Sequence, residues 1–296
     1  MKICLENVNL GSNSGPNSFA QKLKNQFNIL GCEVTDLRIS DISLCFIESH
    51  RKNINSMPTF QRLDGIYFNT QENYDIKNSN ILRTYRHSSG VIFQSTFNKD
   101  LIFRWFGPHK NYRVIHNGAD LELIDQVSPI DEFSQNYDNI WVCASSWRPH
   151  KRLSENIRYF LEHSGARDCL LVAGSTNEEP IKHPRIKYLG HLNQRQLISI
   201  YKASKYFIHL AWLDHCPNVV VDARACGCRV ICSSSGGTKE IAGPNAIIIE
   251  EEEWDFSPID LYSPKVLNFN NKLDNSYDSC YNMHNVAKEY LNFVTE

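Results

Sequence analysis

Two carboxylates, Asp214 and Asp222, stand eight positions apart in the run Asp214-His-Cys-Pro-Asn-Val-Val-Val-Asp222. Upstream, Ser145-Ser-Trp-Arg-Pro-His-Lys-Arg152 places Arg148, Lys151 and Arg152 in one short basic stretch. Carboxylates accept hydrogen bonds from hydroxyl groups, a guanidinium grips phosphate with two donors, and an ammonium supplies a point charge. Taken singly, each residue has a plainer reading. Asp214 is then a loop acid, Asp222 a solvated helix position, and the basic stretch a surface cluster. The basic stretch gains weight from its place, between a strand and a helix, because ligands of parallel sheets bind at strand carboxyl ends.

Other chemistries fit less well. Cys226-Gly-Cys228, with Cys216 and Cys232, could suggest zinc, but structural zinc needs four ligands at closed spacing, and these thiols fall in a buried strand and a helix end. Core packing is the better reading. His209 sits in an apolar strand and reads as a satisfied core histidine, and His116 as a turn residue at a domain boundary. Arg62 and Asp64 in Gln61-Arg-Leu-Asp-Gly65 read as a local ion pair or a site. The loop Asn9-Leu-Gly-Ser-Asn-Ser-Gly-Pro-Asn-Ser18 precedes a helix and can bring backbone N–H groups, as at Gly15, to an anion. On its own it is an ordinary βα loop. Neither half carries the Gly-x-Gly-x-x-Gly turn of a dinucleotide-dependent oxidoreductase.

The acids are positioned by a strand–loop–helix–strand unit. Tyr206–Ala211 is the first strand, Pro217-Asn218 starts the helix, Gly227 ends it, and Arg229–Cys232 is the second strand. The same alternation runs through both halves. Lys2–Leu5 is a strand; Phe19, Leu23, Phe27 and Leu30 recur at helical spacing; Cys32–Thr35 is a strand. From Asp41 to Glu72 the elements are short and poorly defined. A helix is expected around Asn78–Arg86, a strand at Gly90–Gln94, a helix over Phe97–Phe106 capped by Ser95 or Thr96, and a strand at Tyr112–Ile115. The turn His116–Asp120 is the natural boundary. Beyond it come strands at Asn139–Cys143, Cys169–Val172, Ile186–Leu189 and Ala246–Ile249. Helices are expected over Leu153–Leu161, Gln194–Lys202, a short stretch from Glu240, and Met283–Val294. The acidic run Glu250–Glu253 reads as a solvated turn. The expectation is α/β: two Rossmann-like domains with parallel sheets facing a cleft, 1–120 and 121–282, with a closing helix at 283–296.

Composition narrows the field. The 296 residues suffice for two cores, and Lys plus Arg (31) nearly balances Asp plus Glu (33), which argues against a nucleic-acid surface. Ten scattered cysteines, mostly in apolar runs, suit reduced thiols in a cytoplasmic protein. No signal peptide or transmembrane run is visible.

The segment Tyr188–Ile241 resembles the signature region of retaining, nucleotide-sugar-dependent glycosyltransferases of the GT-B fold, glycosyltransferase family 4. The resemblance rests on Leu189-Gly-His191, the helix at Gln196–Tyr201, the strand at Tyr206–Ala211, Asp214 with Asp222, and Gly236-Gly-Thr-Lys-Glu240. Pro217-Asn-Val-Val-Val-Asp-Ala-Arg-Ala-Cys-Gly227 is the most specific part, and Val114–Asp120 and Trp147–Lys151 also agree. Two features depart from the family pattern. Both acids are Asp where the family usually has Glu. The family's phosphate-binding Arg stands five positions before its Lys, and Ser146 occupies that slot here.

The resemblance implies transfer of a hexose-type sugar from a nucleotide-diphosphate sugar to a glycan, lipid-linked or other hydroxyl acceptor, with retention. It places the donor on the second domain and the acceptor on the first. Lys151 and Arg148 would hold the diphosphate, Asp214 the sugar and Asp222 the ribose. Backbone N–H groups at Gly15, Asn218 and Val219, with Gly190, His191, Gly237 and Glu240, would complete the donor site. No metal or other cofactor is implied, nor any partner beyond nucleotide sugar and acceptor, although peripheral membrane contact is compatible. The departures motivate an alternative: a catalytically inactive relative that binds a nucleotide sugar or a partner.

Overall fold

The computed structural model describes every residue of the chain except Asn13, Ser134 and Glu178. The chain divides into two compact units. One comprises Met1–Gly118, Asp255–Ile259 and Cys280–Glu296; the other comprises Ala119–Trp254 and Asp260–Ser279.

The first unit contains β1 (Lys2–Glu6), α1 (Gly15–Ile29), β2 (Glu33–Val34), β3 (Ile42–Phe46), β4 (Thr59–Leu63), α2 (Tyr74–His87), β5 (Gly90–Phe93), α3 (Thr96–Phe106) and β6 (Tyr112–Val114). The sheet order is β2-β1-β3-β4-β5-β6, all parallel. The four-residue spacing of Phe19, Leu23 and Phe27 puts one apolar stripe of α1 on the core, where all three are buried. Ser95 caps α3 by accepting from the Asn98 N–H at 3.1 Å, as the sequence led one to expect.

The poorly defined stretch 41–72 holds two complete strands, β3 and β4, both buried along their whole length. Polar residues hide them from a hydropathy reading. In β4, Gln61 donates to the Ile47 and Ile81 carbonyls. Arg62, fully buried, donates to Tyr290 Oη at 3.1 Å and Asn117 Oδ1 at 2.8 Å, and pairs with Asp64. Its guanidinium lies 4.1 Å from the Phe19 ring centroid and 5.0 Å from that of Phe46. The Arg62–Asp64 ion pair is thus a hub of the first core.

The second unit contains α4 (Leu121–Asp125), β7 (Ile140–Ala144), α5 (Leu153–His163), β8 (Cys169–Ala173), β9 (Ile186–Gly190), α6 (Gln194–Ala203), β10 (Tyr206–His209), α7 (Asn218–Ala225), β11 (Arg229–Ser233), α8 (Thr238–Ile241), β12 (Ile247–Ile249) and β13 (Lys272–Leu273). The order is β13-β12-β11-β10-β7-β8-β9. Every pairing is parallel except that of the two-residue edge strand β13. The last helix, α9 (Met283–Thr295), belongs to the first unit, where Met283, Val286, Ala287, Tyr290 and Phe293 enter its core.

The expected boundaries place 255–259 in the second domain; its contacts put it in the first unit. Ile259 exchanges backbone hydrogen bonds with Phe68 and Thr70, and Trp105 Nε1 donates to the Phe256 carbonyl at 2.8 Å. Pro217 caps α7 rather than opening it. Glu251, expected in a solvated turn, pairs with buried Arg152, whose guanidinium donates to both carboxylate oxygens at 3.0 and 2.7 Å. All ten cysteines are free, and Cys228 donates to the Tyr201 carbonyl at 3.1 Å, which fits a packed core thiol. Among the described residues, no helix is long and apolar enough to cross a membrane.

Candidate functional site

Five of the loops at the carboxyl end of the second sheet are tied to one another. After β7, Trp147 Nε1 donates to the Ala173 carbonyl at 2.9 Å. After β8, the Gly174 N–H donates to the Gly190 carbonyl at the end of β9, at 2.7 Å. After β10, the Trp212 N–H donates to the His150 carbonyl at 2.7 Å. After β11, the Gly237 N–H donates to the Asp214 carbonyl at 2.8 Å. Two glycines permit the closest approaches. A Cβ on Gly174 would lie 1.8 Å from the Ser145 carbonyl oxygen, and one on Gly236 would lie 2.4 Å from that of Asp214. Both glycines have positive φ.

This bundle of loops joins two of the residues singled out by spacing. Lys151 Nζ donates to Asp214 Oδ2 at 2.5 Å. Lys151 ends a single helical turn, Pro149–Lys151, headed by Arg148, and Arg152 follows it in a left-handed conformation. Arg152 leaves the basic cluster for Glu251, while Arg148 stays exposed. On the other side, Leu213 also takes a positive φ of 55°, an uncommon conformation for a branched side chain, where the chain turns out of β10 into Asp214.

A third group shares the same oxygen. His209, the last residue of β10, places Nε2 2.9 Å from Asp214 Oδ2. Asp214 Oδ1 accepts the His215 N–H at 3.0 Å. Burial pushes the Asp214 pKa up, but the Lys151 charge and the His209 hydrogen bond outweigh it and hold the carboxyl well below the usual range. Burial also dominates at His209 and lowers its pKa against the pull of Asp214, so the ring is neutral. A carboxylate only accepts, so Nε2 carries the proton.

Two flanking histidines behave alike. Burial, with the Lys151 charge beside it, lowers His150 to about 3. Burial lowers His215 to about 4, with Asp214 opposing and Lys151 assisting. Both are neutral when native at pH 5, whereas in the unfolded chain, with a pKa near 6.5, they are protonated. Acid therefore favours unfolding: their contribution is full above about pH 6.5 and falls until about pH 4 for His215 and about pH 3 for His150. The slope is about 1.4 kcal/mol per pH unit for each histidine. Urea unfolding at pH 7 and pH 5 should show the loss, and His150→Gln should remove its share of the pH dependence. An equally steep dependence in that variant would refute the assignment.

The remaining expected residues are placed as follows. Asn218, Val219 and Asp222 lie on α7, half-buried, with Asp222 a little over one turn from its start. Gly190 and His191 are exposed at the end of β9. Gly237 caps α8, and Glu240 is buried within it. Gly15 is exposed at the first turn of α1 and belongs to the other unit. His209 is the satisfied core histidine the sequence suggests, but the sequence did not name Asp214 as its partner. The one signal of that pairing was a polar residue closing an apolar strand at the sheet's carboxyl edge, five positions before the acid.

Fold and site together define an α/β protein of two mostly parallel, Rossmann-like sheets with a lysine–carboxylate pair at one set of strand ends. Residues 170–256, from β8 through β12 and just beyond, match the family model described as glycosyl transferases group 1. No curated protein sequence matches the chain. Among solved structures, Anabaena HepE in complex with UDP and glucose is similar over 100% of this chain and 99% of its own, with 14% identity and TM-score 0.68. Sucrose-phosphate synthase from Thermosynechococcus elongatus is similar over 86% of each chain, at 12% identity and TM-score 0.64. A glycosyltransferase from Rickettsia africae is similar over 99% of this chain and 97% of its own, at 15% identity and TM-score 0.62. At these identities the likeness is one of fold, and the fold is that of GT-B glycosyltransferases.

Proposed function

We propose that the chain is a retaining glycosyltransferase of family 4, moving a hexose-type sugar from a nucleotide-diphosphate sugar to a hydroxyl acceptor. The observation that carries this reading is the Lys151–Asp214 pair at the strand carboxyl ends of the unit that contains nearly all of the family match. Departure of a nucleoside diphosphate builds negative charge that fixed cations and N–H groups stabilise. Lys151 is assigned that task, assisted by Arg148 from the same turn and by the first N–H groups of α7, at Asn218 and Val219. With basic residues on the diphosphate, no metal is needed. Asp214 is assigned to the sugar, Asp222 to the ribose, and Gly190, His191, Gly237 and Glu240 to the rest of the donor. The loop N–H groups at Gly15 and the acceptor are assigned to the first unit.

Retaining glycosidases use two carboxyl groups, one as nucleophile. The present assignment gives the protein no nucleophile. The leaving phosphate takes the acceptor proton as the new bond forms on the same face of the sugar. A cytoplasmic setting, expected from the scattered cysteines in mostly apolar runs, is part of the same proposal.

A specific observation favours a second reading. Asp214 already accepts from Lys151, His209 and the His215 N–H, and both family Glu positions are Asp. A non-catalytic binding module would show that arrangement too. A thermal-shift panel of UDP-, GDP- and ADP-sugars tests binding, and HepE, solved with UDP-glucose, makes UDP-glucose the first to try. A rise in melting temperature with one sugar nucleotide is expected, followed by turnover of that donor. No shift with any would sink the enzyme reading and leave only a module that binds a partner; a shift without turnover would leave a nucleotide-sugar binding module.

A further inference from the structure

We infer that His209 is a positioning residue that fixes the Lys151 ammonium through Asp214. The inference rests on the donor-site reading above and extends it to a residue to which that reading gives no role. β10 lies between β11 and β7 near the middle of the second sheet, and His209 is in register with Cys232. Its side chain is 2% exposed. The rest of the strand and the next residues, Leu210 and Ala211, are apolar, so an aliphatic residue would complete the core at this position. A buried imidazole is costly unless it is hydrogen-bonded, and the bond it makes runs to Asp214 Oδ2. The Phe207 ring lies nearly parallel to the imidazole, with centroids 6.2 Å apart and planes 13° apart.

The partners of this bond differ in rigidity. Lys151 sits on one helical turn with four rotatable side-chain bonds, and Asp214 sits in a loop entered through the left-handed Leu213. His209 is anchored in a central strand. One carboxylate oxygen receives both the ammonium and the imidazole N–H, so the strand dictates where that oxygen stands, and the oxygen dictates where the ammonium points. Groups that orient a reacting residue in this way act without touching the ligand.

The test compares His209→Phe, which fills the space without a donor, with His209→Gln, whose Nε2 can reach the same oxygen. In the full chain, His209→Phe is expected to lower kcat about 10–100-fold while KM for the donor stays within about threefold. His209→Gln should recover kcat to within about fivefold of the parent. The second readout needs no activity: labelling of Lys151 by acetic anhydride, followed by peptide mass spectrometry. Labelling should rise several-fold in His209→Phe and stay near the parent rate in His209→Gln. Equal labelling in all three proteins overturns the inference, as does a kcat loss that His209→Gln fails to relieve and that follows melting temperature. If the unaltered protein turns over no nucleotide sugar, the enzyme reading fails, while the labelling pattern still decides the role of His209.

Discussion

Lys151→Ala is expected to lower kcat for sugar transfer or donor hydrolysis by about 10²–10³, the loss typical when one charge-stabilising donor is removed from a transition state. The expectation follows from place and partner together. Lys151 is held 2.5 Å from Asp214 at the strand ends, and its side chain is only 18% exposed. The substitution also leaves the Asp214 carboxylate without its main counter-charge, so that its pKa rises from its depressed value. Two effects then combine: a lost cation for the diphosphate and a carboxyl group that protonates more readily. Lys151→Arg keeps the charge but changes the shape, and should retain part of the activity. Donor turnover measured across pH separates the two effects. A kcat for Lys151→Ala equal to that of the parent would remove the lysine from the mechanism and move the charge-stabilising role to another group.

The largest expected loss of stability lies in the first unit. Arg62→Ala should destabilise it by about 3–5 kcal/mol, the range for breaking a buried ion pair by removing one partner. The side chain is fully buried, pairs with Asp64, and donates to Tyr290 and Asn117. Removing it takes the cationic partner from Asp64 and one hydrogen bond each from Tyr290 and Asn117, and empties the space against the rings of Phe19 and Phe46. Arg62→Met, which restores packing but no charge, should recover only part of the loss while Asp64 remains. Asp64→Asn in the same background should recover more, because it removes the unpaired charge. Urea unfolding of the three variants checks the order, and a single-variant loss below about 1 kcal/mol would show that the cluster is not a hub.

Much of the second unit was legible in the sequence because its strands are runs of apolar residues closed by turn residues. The strand at Tyr206, the helix after Pro217 and the strand at Arg229 were all read within a residue or two of their ends. β3 and β4 were not, because Ser43, Gln61 and Arg62 are polar and yet fully buried. Hydropathy reports on side-chain type, whereas these side chains are admitted to the core by partners far away in sequence, such as Tyr290. The return of residues 255–259 to the first unit was invisible for a similar reason: backbone pairing between Ile259 and the stretch around Asn69 has no local signature. In the candidate site, Lys151 and Asp214 were each singled out, by the loop after β7 and by the spacing of the motif, but their pairing with each other was not. Neither were the His209–Asp214 and Arg152–Glu251 pairs, since a histidine in an apolar strand and a glutamate in an acidic run each look the same whether paired or idle.

The helix α9 has a consequence for the order of events during synthesis. Met283, Val286, Ala287, Tyr290 and Phe293 are part of the same cluster as Ile3, Phe19 and Leu23. The second unit is built from residues 119–254 and 260–279, all translated before that helix. The unit made first therefore waits longest to be finished. Until α9 emerges, Phe19 and Phe27 lack its covering face, and Arg62 lacks the Tyr290 hydroxyl. A chain truncated just after Ser279 would hold every residue of the second unit beside an unfinished first one, the kind of half-covered surface that chaperones engage.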